Sequence, residues 1–153
     1  MGTKPLAVGD LGPDFSVNAQ DQLITLSSLR GQQRAALFFF PLAFTPVCRT
    51  ELPELEQHAA AFLRLGCALF AISVDHPSSA NAFRDFCGIR SFPVIGDYGK
   101  DIVRAYGVLR DEGFAERCTF LLDRQGVIRV VKMGELMMKR DFAEFLPLID
   151  TLP

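Results

Sequence analysis

Two short apolar segments separated by a long amphipathic one are the feature that most constrains the fold. Residues 35–40 form a continuous apolar run rich in phenylalanine and bounded by Pro41, and residues 68–74 form a second run. Such runs are typical of strands buried on both faces of a sheet. Residues 46–65 carry apolar side chains at helical spacing and are followed by Gly66, which predicts an amphipathic helix. This order predicts a βαβ unit and an α/β fold.

Further predicted elements extend this unit on both sides. They are a hairpin over residues 15–18 and 23–25, a helical turn over 27–31, helices over 78–86 and 101–106, a short strand over 93–95, a hairpin over 118–122 and 127–132, and a helix over 141–151. Pro147 is expected to kink or end the last helix. We therefore predict a thioredoxin-like α/β fold with an N-terminal β-hairpin extension and a central mixed sheet flanked by helices. The even composition predicts a single domain over residues 1–153.

The composition predicts a globular protein with no electrostatic preference for nucleic acid. Apolar residues make up 49% of the chain and the formal net charge is −2, so a hydrophobic core is available and no dense basic patch is expected. The longest apolar run is too short to cross a bilayer, and the first residues lack the pattern of a signal peptide. We expect a cytoplasmic protein that binds neither nucleic acid nor membranes.

The four cysteines, at positions 48, 67, 87 and 118, are widely and irregularly spaced. No Cys-x-x-Cys pair is present, and the two histidines do not lie near the cysteines in sequence. This spacing favours free thiols in a reducing compartment over a disulfide framework or a structural zinc site. No metal is expected.

Cys48 lies between the carboxyl end of the first buried strand and the start of the long helix. Reactive groups in α/β proteins are commonly found at this edge of the sheet. Thr45 is a favourable N-cap residue and Pro46 suits the first helical position, which places Cys48 at the third. Unpaired backbone N–H groups and the positive end of the helix dipole favour the thiolate there, and the thiolate is the nucleophilic form. The alternative is that Cys48 is only a packed residue. Its position favours a reactive thiol.

Pro41, Thr45 and Cys48 together resemble the PxxxTxxC motif of the peroxiredoxins, and Glu51 matches a glutamate that often follows it. Other segments resemble markers of this family in the same order, from about residue 5 to about residue 150: Gly9 with Pro13-Asp14-Phe15, Ile72-Ser73-Val74-Asp75, Phe92-Pro93-Val94, Ala105-Tyr106-Gly107-Val108, and Arg117-x-Thr119-Phe120-x-x-Asp123-x-x-Gly126. The segment Phe-Phe-Pro-Leu-Ala-Phe-Thr at 39–45 is most similar to the alkyl hydroperoxide reductase E type, near the bacterioferritin-comigratory group.

The resemblance implies a thioredoxin-like fold and a thiol peroxidase that reduces hydrogen peroxide and organic hydroperoxides without an organic or metal cofactor. Cys48 would be the peroxidatic cysteine and Arg117 the active-site arginine, which stabilises the thiolate and binds peroxide oxygens. Thr45 would supply a hydrogen bond at the reacting atoms, Pro41 would shield the thiolate from water, and Glu51 would support the site. The product on the cysteine is a sulfenic acid, which a second thiol reduces.

The identity of that second thiol stays open in the sequence. Many members of the bacterioferritin-comigratory group carry a resolving cysteine five residues after the peroxidatic one, where this chain has Pro53. We therefore expect an external reductant: a thioredoxin, a mycoredoxin-like protein or a low-molecular-weight thiol. Cys87 is a possible resolving cysteine, although Phe86 beside it indicates a packed helix face. Cys67 and Cys118 are expected in the core.

Further alternatives accompany this hypothesis. Arg117 could instead be an exposed strand-end residue paired with Glu112 or Glu116, and the chain could be a non-catalytic binding or holdase protein that keeps the fold. A homodimer is expected, with its contact near Phe44 or residues 110–114. Phe44 is also expected to line an apolar entrance that admits organic hydroperoxides.

Overall fold

The computed structural model describes residues 3–153. Seven strands, four α-helices and two 3₁₀ turns follow one another in this described part of the chain. In order they are β1 (Ser16–Ala19), β2 (Gln22–Thr25), a 3₁₀ turn (Leu26–Leu29), β3 (Arg34–Phe39), α1 (Pro46–Arg64), β4 (Cys67–Ser73), α2 (Pro77–Phe86), β5 (Val94–Gly96), α3 (Asp101–Ala105), β6 (Cys118–Leu122), β7 (Ile128–Met133), a second 3₁₀ turn (Phe142–Phe145) and α4 (Leu146–Asp150).

The central sheet has five strands in the order β5-β4-β3-β6-β7. Strands β3, β4 and β5 are parallel, whereas β6 runs antiparallel to β3 and β7 antiparallel to β6. Strands β1 and β2 pair with each other as a separate antiparallel hairpin. The predicted fold, with a mixed central sheet and an N-terminal hairpin, is therefore confirmed.

Strand β3 explains why the core has two parts. All six of its residues are buried, and successive side chains point to opposite faces of the sheet. Phe38 packs in the part that contains α1, α2 and the C-terminal helical segment. Leu37 and Phe39 pack in the part that contains α3 and the hairpin. The sequence reads as a continuous apolar run because both faces are covered.

Helix α1 follows the predicted pattern closely. Thr45 has an extended backbone at the N-cap position and Pro46 occupies the first turn. Gly66, two residues after the helix ends, has a φ angle of 66°, which glycine adopts without a steric penalty. The buried face of the helix contains Cys48 and Glu51 beside its apolar residues. A carboxylate on this face requires a buried partner.

The single helix predicted over residues 141–151 is wrong. The chain forms a 3₁₀ turn over Phe142–Phe145 and only then the short helix α4. The Asp141 side chain accepts a hydrogen bond from the Ala143 N–H and begins the 3₁₀ turn. Pro147 lies in the first turn of α4, where its missing N–H costs no hydrogen bond, so the proline starts a helix instead of kinking one.

None of the helices within residues 3–153 has the length and apolar character needed to cross a membrane.

Candidate active site

The Cys48 side chain is fully buried in the first turn of α1. The Arg49 N–H donates to the Thr45 carbonyl at 2.9 Å, so the backbone N–H groups before it, including that of Cys48, are free of intrahelical partners. The Thr45 hydroxyl donates to the Leu42 carbonyl at 2.8 Å and makes no side-chain cap. Thr45 therefore offers its oxygen to the site as an acceptor.

Arg117 reaches Cys48 across the sheet. It directly precedes β6, whose Cys118 pairs with Phe39 at the end of β3, so the arginine lies beside the turn that leads into α1. Its side chain is buried, and Nη2 donates to the Cys48 Sγ atom at 3.3 Å. A guanidinium at this distance stabilises a thiolate.

The alternative pairing of Arg117 with Glu112 or Glu116 is wrong. Arg110 binds these two carboxylates instead, Glu112 at 2.8 Å and Glu116 at 2.7 Å. Arg117 pairs with neither carboxylate, and its side chain is buried in the interior.

A carbonyl and a carboxylate orient the Arg117 guanidinium. The Leu136 carbonyl accepts from Nε at 3.3 Å and from Nη2 at 3.1 Å, and Nη1 forms a buried ion pair with Glu51. Because the guanidinium is a rigid planar fork, these contacts fix the direction in which the remaining N–H groups point.

Glu51 is fully buried between two arginines. Arg140 donates to its carboxylate from the backbone N–H at 2.8 Å and from Nε and Nη2, each at 2.9 Å. Burial on its own raises the pKa of the Glu51 carboxyl, but the charges of Arg140 and Arg117 outweigh it and hold that pKa below its ordinary value of 4.5. Glu51 thus links the arginine at Cys48 to a second buried arginine.

A cavity of about 170 Å³ opens beside Thr45 and Arg117. Apart from Thr45 and Arg117 its walls are apolar, and they consist of Pro41, Leu42, Pro46, Val47, Phe114, Leu136 and Met137. The expectation that Phe44 lines this cavity is wrong. Its ring turns away and packs against Phe83 and Phe86, with centroid distances of 5.0 Å and 5.5 Å.

Comparisons with known proteins assign this chain to a family. The family model described as the AhpC/TSA family matches residues 8–131. Alkyl hydroperoxide reductase E of Mycobacterium tuberculosis is 39% identical over 140 residues, which cover 89% of this chain and 91% of that protein. Peroxiredoxin-2 of Mus musculus is 37% identical and covers 97% of this chain and 80% of its own length.

The chain belongs to the peroxiredoxins of the AhpC/TSA family. A solved structure of the mitochondrial 2-Cys peroxiredoxin from Plasmodium falciparum superposes with a TM-score of 0.84 at 33% identity, and the match covers 95% of this chain and 93% of that one. This peroxiredoxin is a thiol-dependent peroxidase. Members of the family reduce hydroperoxides through a cysteine thiolate and are returned to the thiol state by thiol reductants.

Arg140 is the residue of this peroxiredoxin that sequence reasoning missed. It stands between Lys139 and Asp141, so it reads as part of an exposed charged turn, and 89 residues separate it from Glu51. One signal was available. Glu51 lies on the face of α1 that carries Cys48, and a carboxylate on a buried face indicates more than one cationic partner.

Burial raises the pKa values of the other three thiols of this peroxiredoxin. Burial raises the pKa of the thiols of Cys67 and Cys118 to about 12. Cys87 is half-buried at the end of α2 and packs against the core that contains Cys48; burial, followed by the negative charge at Cys48, raises its pKa to about 11. The prediction that Phe86 marks a packed face is wrong, since its side chain is 61% exposed.

Proposed function

We propose that Cys48 is the peroxidatic cysteine, which is oxidised to a sulfenic acid by the hydroperoxide. The observation that carries this proposal is the 3.3 Å contact between Arg117 Nη2 and the Cys48 sulfur at the wall of a cavity. Arg117, Thr45 and Pro41 form the site with it, and Glu51 supports Arg117. The cavity brings a peroxide next to the cation that contacts the buried Cys48 sulfur.

The reaction follows from the donors around the sulfur. The thiolate attacks one peroxide oxygen, the O–O bond breaks, and the other oxygen leaves as hydroxide or alkoxide with the electron pair of that bond. Arg117 and the free Cys48 N–H stabilise the charge that grows on the leaving oxygen. Because the Thr45 proton is engaged by the Leu42 carbonyl, the Thr45 oxygen accepts from the O–H of the peroxide and orients it.

The apolar cavity wall supports organic hydroperoxides as substrates beside hydrogen peroxide. Leu42, Val47, Phe114 and Met137 present hydrocarbon or thioether surface to the cavity that Arg117 also lines. An alkyl substituent gains affinity by burying its own apolar surface there, whereas hydrogen peroxide has none to bury. The relative named alkyl hydroperoxide reductase E is consistent with this preference.

An external thiol completes the proposed cycle. It condenses with the sulfenic acid to a mixed disulfide and water, and a second thiol then releases the Cys48 thiol and leaves as a disulfide. A thioredoxin, a mycoredoxin-like protein or a low-molecular-weight thiol would serve. The pKa of about 11 at Cys87 supports external reduction, because little of this thiol is ionised near neutral pH.

The main test compares Cys48→Ser with the unmodified protein and with Cys67→Ser as a matched control. Each pre-reduced protein is mixed with one equivalent of hydrogen peroxide or cumene hydroperoxide, and peroxide loss and sulfenic acid trapped by dimedone are followed. We expect rapid loss and a trapped adduct on Cys48 in the unmodified protein and in Cys67→Ser, and neither in Cys48→Ser. Equal consumption by all three proteins would refute the assignment of Cys48.

Internal resolution through Cys87 is the second candidate for the recycling step. The contact of Cys87 with the core that holds Cys48 favours it. Cys87→Ser separates the two routes: external reduction predicts unchanged turnover with added thiol and no intramolecular disulfide after oxidation. A Cys48–Cys87 disulfide in the unmodified protein, lost in Cys87→Ser together with turnover, would establish the internal route.

Self-association and location complete the proposal. The exposed aromatic side chains of Phe44 and Phe86 form one apolar patch and suit a homodimer contact, for which residues 110–114 are a second possible site. A monomeric mass by light scattering at micromolar concentration would count against a dimer.

Four free cysteines fit the reducing cytoplasm, and recovery of the protein outside it in cell fractionation would contradict that location.

A further inference from the structure

The loop of residues 40–45, which joins β3 to α1, has to satisfy two opposing demands. It holds Cys48 fully buried beside Arg117 while peroxide is attacked. The sulfenic acid that forms must then meet the sulfur of another thiol, which a fully buried atom cannot do. The loop must therefore open once in each cycle, an inference that rests on the proposed function of Cys48. A contact that stabilises the closed loop relative to the open one therefore affects the rates of both oxidation and reduction of Cys48.

Asp75 lies outside this loop and hydrogen-bonds to its backbone. Its Oδ2 atom accepts a hydrogen bond from the Ala43 N–H at 2.8 Å. The hydroxyl of Ser73, a fully buried residue at the end of β4, donates to the same oxygen at 2.5 Å. The carboxylate thus binds Ser73 of β4 and also binds the backbone of the loop at Ala43.

Apart from the packing of Phe40 and Phe44 against α2, the loop has few contacts that would keep it closed. Within residues 3–153, Asp75 is the one side chain beyond the loop that hydrogen-bonds to the backbone of residues 41–45. The Thr45 hydroxyl binds the Leu42 carbonyl, which lies in the same turn. Phe44 has a φ angle of 64°, a left-handed conformation that is unfavourable for a bulky side chain. The Phe40 N–H donates to the Ile72 carbonyl at 3.0 Å where the loop leaves β3, so beyond that point the strained loop depends on the Asp75 hydrogen bond and on the packing of Phe44.

We propose that Asp75 is a positioning residue that acts as a latch on the Cys48 turn. While the Asp75–Ala43 hydrogen bond is made, the turn presents Cys48 to Arg117 and the cavity. When the bond breaks, the strained conformation at Phe44 relaxes and Cys48 becomes accessible to the reductant. Loss of the latch therefore favours reduction, which needs the open loop, and gives no advantage to oxidation, which needs the closed one.

The test measures the two half-reactions separately in Asp75→Ala. Oxidation of the reduced protein by hydrogen peroxide is followed by stopped flow, and reduction of the isolated sulfenic acid is followed with 5-thio-2-nitrobenzoate. We expect reduction to become about tenfold faster, the change that corresponds to losing one charge-assisted hydrogen bond, while oxidation is unchanged or slower. A role in stability alone would slow both steps or alter neither.

Three further variants keep the test decisive if Asp75→Ala folds poorly. Asp75→Asn retains an oxygen that can accept both hydrogen bonds without the charge, and Ser73→Ala frees the carboxylate but leaves its bond to Ala43. Both variants are expected to accelerate reduction, each by a smaller factor than Asp75→Ala. Asp85→Ala removes an exposed carboxylate from α2 and is expected to alter neither step.

Each outcome has a defined meaning. Reduction rates within twofold of the unmodified protein in all Asp75 and Ser73 variants would refute the latch, and so would an increase in both half-reactions, which indicates general exposure of Cys48. If the unmodified protein shows no oxidation of Cys48, the proposed function itself fails. The two failures are therefore distinguishable.

Discussion

At the residue scale, the pair of buried arginines explains how a carboxylate is kept close to the Cys48 sulfur. Glu51 and the Cys48 sulfur both contact Arg117, so the carboxylate and the sulfur share one cation. Arg140 supplies the second positive charge and three hydrogen bonds to Glu51. Without it Arg117 would have to satisfy Glu51 alone, and its orientation toward Cys48 would be less well fixed.

Arg140→Met is expected to lower the free energy of unfolding by about 3 kcal/mol, because it leaves a buried carboxylate with one partner fewer. It is also expected to slow oxidation of Cys48 by hydrogen peroxide several-fold. The measurements are urea unfolding and stopped-flow oxidation. Lys139→Met is the matched control, since the neighbouring Lys139–Glu54 pair is exposed and its loss is expected to cost less than about 1 kcal/mol. Equal losses in the two variants would contradict this view of the buried network.

At the element scale, the Gln20 side chain hydrogen-bonds the N-terminal hairpin to the edge of the central sheet. Gln20 donates to the Val94 carbonyl at 2.8 Å and accepts from the Val94 N–H at 3.1 Å, so its amide pairs with β5 as a neighbouring strand would. It also donates to the Asn81 side chain at 2.8 Å. The backbone N–H and carbonyl of Val94 on this edge strand are thereby satisfied without a further strand.

We expect Gln20→Ala to lower the free energy of unfolding by roughly 1–2 kcal/mol, because the backbone groups of Val94 lose their partners. Gln22→Ala, an exposed glutamine of the same hairpin, is the control and is expected to change stability by less than about 0.5 kcal/mol. Urea unfolding measures both. The oxidation rate of Cys48 should be unaffected in either variant, and a large loss of that rate in Gln20→Ala would show that the hairpin also shapes the site.

At the scale of the whole molecule, buried and hydrogen-bonded carboxylates tie stability to pH. The folded-state pKa of Glu51 lies below its ordinary value of 4.5, so its contribution is complete above that value and is lost as the pH falls through the folded-state pKa. The pKa values of Asp14, Glu56 and Asp123 are lowered too, since hydrogen bonds outweigh the opposing effect of burial.

Stability measured by urea unfolding is therefore expected to fall between about pH 5 and about pH 3. In Glu51→Gln the decrease over this interval should be shallower, because the carboxylate that takes up a proton on unfolding is gone. The comparison concerns the slope, since the variant is also expected to be less stable at neutral pH. An identical slope in both proteins would show that Glu51 does not contribute to the acid transition.

The local patterns were sufficient for most elements and for the part of the site that is close in sequence. Pro41, Thr45 and Cys48 lie on one strand–turn–helix segment, so spacing alone predicts their proximity. Arg117 was placed by the resemblance and by the expected pairing of its strand with β3, and the geometry agrees. Arg140 and Asp75 belong to loops, where no periodicity reports on side-chain direction, so their contacts with Glu51 and Ala43 required coordinates.

The environments of the four thiols also decide how an oxidant is divided among them. Cys67 and Cys118 carry a pKa of about 12 and Cys87 one of about 11, so at neutral pH each exists as thiolate in only a minute fraction of molecules. Cys48 is the one whose sulfur accepts a hydrogen bond from a guanidinium. On the proposed assignment of Cys48, a chain with four oxidisable sulfurs is expected to respond to a limiting dose of peroxide as though it had one. The other three thiols are then expected to stay reduced over many turnovers.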